Sequence, residues 1–486
     1  MQKTIKYNFS TNNYLIISWI IFLIIELFLL QLCMFSSPLY GFAFILLFAY
    51  LIYIFGGNEQ LPKAMFLTII ISSILLQTSR KMLFRIEEIP FLFVIGIFTL
   101  NNLLGYKSTA KIGKIGLWLT VFLTICVSSA FVGLYRGQSF ISVGNDLFMY
   151  LFYSLFFFVI RSDLSEKWIK RFIYAIIGIT FIITLEYVWM YIGSGGKQRC
   201  VSDQQHFLNI GIPLIVSWLL YEKNKLTKLF LSLLLIPMGF AVIITLTRML
   251  WVIIPGSVLL LYFLHLLREG LSTKKFLYGC TVIGVILCFT VLPVKDMLTG
   301  KISLPHMVKE RSATLKHLAI DPSFLGRLEL ASYVFPRIKK NPIIGTGLGD
   351  TVFYKLITAG AAVIYSSSGK NTPFVTRIPK SRTVVAWLDV SYLNVLWKMG
   401  IIGLLAFLGL YVVFVKRCWF VFKNSKYGFE KWSSLGILTG IIGLLFTGVL
   451  SAILVGYRFN FAWAALMGII ELQAQRIEKR VQTSNI

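Results

Sequence analysis

The chain has 486 residues, of which 57% are hydrophobic and 15% aromatic, while only 14% are charged. Soluble domains carry about 25% charged residues, so this composition excludes an ordinary water-soluble fold and assigns the chain to a lipid bilayer. A net charge of +27 would suggest nucleic acid in a soluble protein. No basic helix or aromatic platform of a nucleic-acid reader is present, so the charge fits the positive-inside bias and contact with anionic lipid instead.

In chain order, apolar runs long enough to span a bilayer, or nearly so, fall at roughly 14–35, 37–56, 64–77, 89–105, 112–134, 147–161, 172–192, 206–220, 228–246, 249–267, 276–293, 391–415, 433–455 and 457–473. They predict an all-α polytopic membrane protein rather than a barrel, whose strands would alternate. The runs 64–77 and 147–161 are short, so the expected count is about 10–14 transmembrane helices. The first run exceeds the apolar core of a signal peptide and lacks a clear small-residue cleavage pattern, which makes it a retained helix. Cys33, Cys126, Cys200, Cys280, Cys288 and Cys418 show no CxxC or Cys/His spacing, which argues against a zinc site or a disulfide framework.

Charge tests the path. With a cytoplasmic N-terminus and strict alternation, 24 Lys and Arg fall in inside segments and only 8 in the short outside loops, as the positive-inside rule requires. Arg80, Lys81 and Arg85 are the one discordant cluster. The expected organisation is N-terminal transmembrane helices over 1–198, further helices over 199–293, a large extracytoplasmic loop over 294–390, C-terminal helices over 391–473 and a cytoplasmic tail over 474–486.

About a hundred residues of loop are too many to be idle in a compact protein. Ahead of Asp389 this loop carries fourteen cations against five anions, net +9. Long loops translocate regardless of charge, and a basic surface beside the membrane suits an anionic ligand or lipid headgroups. Within it, SFLGRLELASYVFPRIKK (323–340) places Leu325, Leu328, Ala331, Val334 and Phe335 at helical spacing. The spacing predicts an amphipathic helix lying on the membrane or the bundle, kinked or ended at Pro336 and stopped by Pro342. Residues 360–382, with a serine run and four cations, read as loose.

Gly345, Gly347 and Gly349 in GTGLGD invite a nucleotide-loop reading, which fails on inspection. No Gly-Lys-Ser/Thr follows, the spacing is not G-x-G-x-x-G, and no βαβ unit precedes it. Alternating glycines instead mark a tight turn whose backbone approaches something closely, either a neighbouring helix or a ligand.

The stretch GRLELASYVFPRIKKNPIIGTGLGD (326–350), followed by LDVSYLNVLWKMGIIGLLAFL (388–408), resembles the shared domain of O-antigen ligases and Wzy-type O-antigen polymerases. TLTRMLWV (245–252) resembles that family's Ser-Arg signature, and RCVSDQQHFLNIGIPL (199–214) loosely resembles its polar helix entrance. The resemblance covers roughly 199–415. It implies an all-helical membrane glycosyltransferase, similar to the type C class, in the bacterial cytoplasmic membrane; the charge count above puts both termini on the cytoplasmic side. Such an enzyme takes undecaprenyl-diphosphate-linked glycan at the outer face. It transfers the glycan to an acceptor glycan, as polymerases do, or to a lipid or surface anchor, as ligases do. The resemblance implies no cofactor or metal, and makes the bilayer and a chain-length regulator candidate partners.

The same resemblance assigns Arg248 and Arg327 to diphosphate binding, a role for which guanidinium forks are suited because they bind oxyanions bidentately and stay charged. The plain alternatives are snorkelling at a helix end for Arg248 and a solvated helix-face charge for Arg327. Asp389 stands where family ligases carry a histidine and would accept the acceptor hydroxyl's proton; its alternative is helix N-capping. That replacement favours polymerase over ligase. Substrate-binding candidates are Arg199, Lys398, Gly345 and Gly347, with Arg136 and Arg458 weaker. Glu26, Glu186 and Lys398 are charges within apolar runs; Lys398 would reach a phosphate or pair with one of the two glutamates. His206, His265, His306 and His317 have no metal-ligand spacing and read as surface or core residues. The rival from another class is a secondary transporter or flippase, for which repeated halves with interrupted helices at matching positions would be expected. None is evident.

Overall fold

The computed structural model describes residues 111–194, 203–245, 247–269, 322–355, 383–386, 390–426, 428–449 and 457–484, with a few single positions between 62 and 94 and between 451 and 454. At 203, 248, 322–330, 352–355, 383–386, 457, 458 and 484 only the backbone is described. The expected spans 14–35, 37–56 and 276–293, nearly all of 64–77 and 89–105, the cluster at 80–85, Glu26 and residues 360–382 lie outside the described residues.

Eleven α-helices are described. They are α1 (Gly113–Tyr135), α2 (Phe140–Leu151), α3 (Leu155–Arg161), α4 (Glu166–Gly193), α5 (Leu208–Tyr221), α6 (Lys225–Ile244), α7 (Arg248–Glu269), α8 (Pro322–Lys340), α9 (Ser391–Asn424), α10 (Gly428–Thr447) and α11 (Tyr457–Ser484). Seven stretches are long and apolar enough to cross a membrane: α1, α2 with α3, α4, α6, α7, α9 and α10. In hydrocarbon a backbone must satisfy its own N–H and C=O groups, which is why Leu-, Ile- and Phe-rich runs fold as helices here. Ends are capped from the sequence. The Ser139 hydroxyl accepts from the Ser142 N–H at the start of α2, and Asn224 Oδ1 accepts from the Leu226 N–H at the start of α6. In the turn before α6, the Glu222 carboxyl is held below the usual carboxylate range by the Asn224 N–H and then by the Trp218 indole.

Alpha-11 is the axis of the bundle. Every residue from Phe459 to Ala474 is buried, the polar Asn460, Glu471 and Gln473 among them. It packs on α3, α9, α1 and α2, while α5, α7 and α10 pack on one another beside it. Across its middle, the Tyr153 and Tyr411 hydroxyls lie 2.7 Å apart, and Trp463 Nε1 donates to Tyr411 at 3.0 Å.

The element ends sort onto two faces. On one, Gln475 donates to the Lys111 carbonyl at 2.8 Å, Arg476 faces Asp163 at 3.7 Å, Arg480 meets Glu430 at 3.1 Å, and Arg268 donates to the Ser425 carbonyl at 2.8 Å. Here too Arg417 pairs with Glu471 and Glu478 at 2.7 and 2.5 Å. On the other face, the end of α1, the turn after α8 and the start of α9 meet. The spanning stretches run between these two faces, whereas α8 ends at the second.

Four details differ from expectation. The short run 147–161 is the end of a longer span that starts at Phe140 and contains Asp146. Residues 474–484, read as a tail, continue α11. Pro336 sits inside α8 without ending it, and Phe335, placed on the apolar face, is 50% exposed whereas Val334 is fully buried. The loop also holds two short strands, β1 (Val352–Lys355) and β2 (Thr383–Ala386), paired antiparallel with Val352 opposite Ala386.

Candidate functional site: a broken helix and the glycine turn that fills it

Alpha-9 is interrupted. Gly400 has φ 67° and ψ −167°, so the helix stops at Met399 and restarts beyond it. Such a break frees peptide groups that must find partners. The glycine turn supplies them. The N–H groups of Thr346 and Gly347 donate to the carbonyls of Trp397 and Lys398 at 2.9 and 3.0 Å. In return the N–H groups of Ile401 and Ile402 donate to Pro342 and Ile343 at 2.9 and 3.3 Å. The Ser129 hydroxyl of α1 also donates to the Lys398 carbonyl, at 2.9 Å, and its own carbonyl accepts from the Leu348 N–H at 3.0 Å.

This close seating explains two glycines. Gly345 and Gly347 have φ of 72° and 91°, and a Cβ on either would strike backbone: Lys398 and Gly400 for the first, Val132 and Gly133 for the second. The close approach foreseen for the turn is therefore to neighbouring helices, and both positions are filled by protein.

Buried charge surrounds the junction. Lys398 Nζ lies 2.6 Å from Asp146 Oδ2, each side chain 5% exposed. The same oxygen accepts from the Gly349 N–H at 2.6 Å. The next carboxylate, Asp350, accepts from the Trp397 indole at 2.9 Å and from Arg337 of α8 at 2.6 Å. Arg136, expected as a plain loop charge or weak ligand residue, clamps the turn through the Gly345 carbonyl and Asn341 Oδ1, both at 2.8 Å. Three electrostatic contacts thus fasten α1, α2 and α8 to one turn.

A second junction gathers the two upstream motifs. The 3-10 turn Asp203–Phe207 leads into α5. Thr247 donates to Gln205 at 2.9 Å, bringing the 199–214 stretch against the residue that precedes Arg248. At the start of α9, the Ser391 N–H donates to the Gly448 and Ser451 carbonyls, its hydroxyl to Ser451 at 2.7 Å, and Tyr392 to Leu445 at 2.7 Å.

Of the residues singled out from sequence, Arg199 and Asp389 lie outside the described residues, as do His306 and His317. Arg248 begins α7 and Arg327 lies in α8, known here by backbone alone. Arg458 is in the first turn of α11, also by backbone alone. Ala386 pairs with Val352, and the N-cap position of α9 is Val390, with no side-chain capping bond. Sequence reasoning missed Asp146, Asp350 and Arg337 as site-builders. Asp146 carried a usable signal, a carboxylate nearly two turns into an apolar helix that Ser139 caps.

Alpha-helices of spanning length, ends sorted onto two faces, and a buried polar junction within the bundle define a polytopic helical membrane protein. Residues 230–408 match the family model described as O-antigen ligase. No curated protein matches the chain. The matched stretch runs from α6 through Arg248, Arg327 and the glycine turn and ends just past the break at Gly400, leaving out the 199–214 stretch. The match covers less than half of the chain and supports a polysaccharide ligase- or polymerase-type membrane function.

Proposed function

We propose that this chain polymerises glycan repeat units from undecaprenyl-diphosphate-linked donors at the outer face of the bacterial cytoplasmic membrane. The observation that carries the reading is the O-antigen ligase match over 230–408, which embraces the interlocked turn and broken helix. In the reaction an acceptor sugar hydroxyl attacks the donor's anomeric carbon. The bond from that carbon to the diphosphate oxygen breaks, the hydroxyl proton passes to the Asp389 carboxylate, and the polyprenyl diphosphate leaves as an anion. Arg248 and Arg327 neutralise the charge that grows on the leaving oxygens, where preorganised cations act most strongly. Asp389 serves as general base. Arg199 is a further diphosphate contact. We assign Lys398, Gly345 and Gly347 to holding the turn rather than touching substrate, because their neighbours are protein groups.

The test is chain extension by membranes carrying Arg248→Ala, Arg327→Ala or Asp389→Asn at normal expression. Each is expected to abolish polymer growth; wild-type polymer length in all three would remove the assignment. Transfer to a lipid or surface anchor is the second reading, favoured by the description of the matched family. It predicts one glycan moved per donor to that anchor and no lengthening of lipid-linked glycan.

A further inference from the structure

We infer that the entrance to α5, through His206 of the 3-10 turn and Asn209 in the first turn of α5, is the subsite for the sugar bonded directly to the donor's diphosphate; this rests on the glycosyl-transfer reading above. Asn209 is 1% exposed and His206 5%. Among the described residues, neither amide atom of Asn209 nor Nδ1 of His206 has a hydrogen-bond partner. Asn460 Oδ1 is also unbonded, and Asn460 follows Phe459, which packs edge-on against Phe207 at 5.3 Å. Leaving a buried amide unpaired costs on the order of 1–3 kcal/mol, so a side chain with both atoms idle calls for an explanation.

The turn is not loosely built. Thr180 Oγ1 donates to the Phe207 carbonyl at 3.4 Å, and Thr247 holds Gln205 at 2.9 Å. Alpha-10 crosses close behind, since a Cβ on Gly440 would lie 3.1 Å from the Asn209 carbonyl. What is left unbonded is a neutral donor and acceptor side by side, together with an imidazole nitrogen. That set suits vicinal hydroxyls, each of which gives and takes a hydrogen bond. It does not suit a phosphate, which calls for cations. The Gln205–Thr247 bond sets the turn beside the start of α7. A sugar bound there would be the one attached to a diphosphate held by Arg248.

The experiment uses the full chain in liposomes with the lipid-linked repeat unit as donor. Asn209→Leu and His206→Phe are expected to raise the donor KM roughly tenfold, the equivalent of one good hydrogen bond. They should leave Tm unchanged or higher, because an idle polar group has been removed. An unchanged KM with a higher Tm would overturn the subsite and leave only a buried water or a dead polar group. Should either variant fail to fold, the wild-type chain is assayed with donors deoxygenated at single hydroxyls of the first sugar. One deoxy position is expected to raise KM by a similar factor, and uniform KM values would overturn the inference. If the wild-type chain extends no polymer, the glycosyl-transfer reading fails. The subsite is then judged by whether donor raises the Tm of wild type but not of Asn209→Leu; an equal rise in both would overturn it.

Discussion

Lys398 and Asp146 stand 252 residues apart in sequence and 2.6 Å apart in the fold. Removing one member of a buried pair strands the other, at a cost of about 3–5 kcal/mol. Lys398→Met is therefore expected to lower thermal stability sharply in detergent, and adding Asp146→Asn should recover most of the loss. Additive losses in a double-mutant cycle would show that the two charges do not interact. The glycines give a second contrast. Gly345→Ala must adopt a left-handed backbone against Lys398 and should cost at least about 1–2 kcal/mol. Gly144→Ala, in α2 with open space around it, should gain up to about 1 kcal/mol from helix propensity. Equal Tm values for the two variants would contradict the packing account. Lys398 was legible as a charge in an apolar run, and the turn as a place of close approach. Its partner was not, because pairing across 252 residues leaves no trace in local pattern.

At the scale of elements, α8, the glycine turn and α9 behave as one piece. Arg337 ties the end of α8 to Asp350, and Asp350 ties to Trp397 of α9. Arg337→Ala is expected to increase amide exchange over 341–351 and to reduce chain extension by misplacing Arg327, with donor KM more affected than expression. Unchanged exchange there would separate α8 from the turn. The helix itself was written in its i, i+3 and i+4 apolar spacing, and its stop in Pro342. The break in α9 was hidden, because KMGIIG reads as an uninterrupted apolar helix until the turn's carbonyls are in place to receive Ile401 and Ile402.

For the whole molecule, the sorting of helix ends onto two faces makes a topological prediction. In a cysteine-free background, cysteine placed at Gln138 should react with a membrane-impermeant maleimide in intact cells. Cysteine at Lys223 or Asn424 should react only after permeabilisation. Labelling of all three from outside would overturn the alternation. The expectation of alternation came from cation counts alone, since charge beside apolar runs obeys a one-dimensional rule. The central packing of α11 was not, because a helix buried by its neighbours resembles one buried by lipid. The claim on which the rest depends is glycosyl transfer, and reconstitution tests it most directly. The purified chain in liposomes, given only undecaprenyl-diphosphate-linked repeat units, should build lengthening glycan and release one undecaprenyl diphosphate per bond formed. Arg248→Ala, Arg327→Ala and Asp389→Asn should do neither. Donor left intact by the wild-type chain, or transport of a solute without any new glycosidic bond, would contradict it.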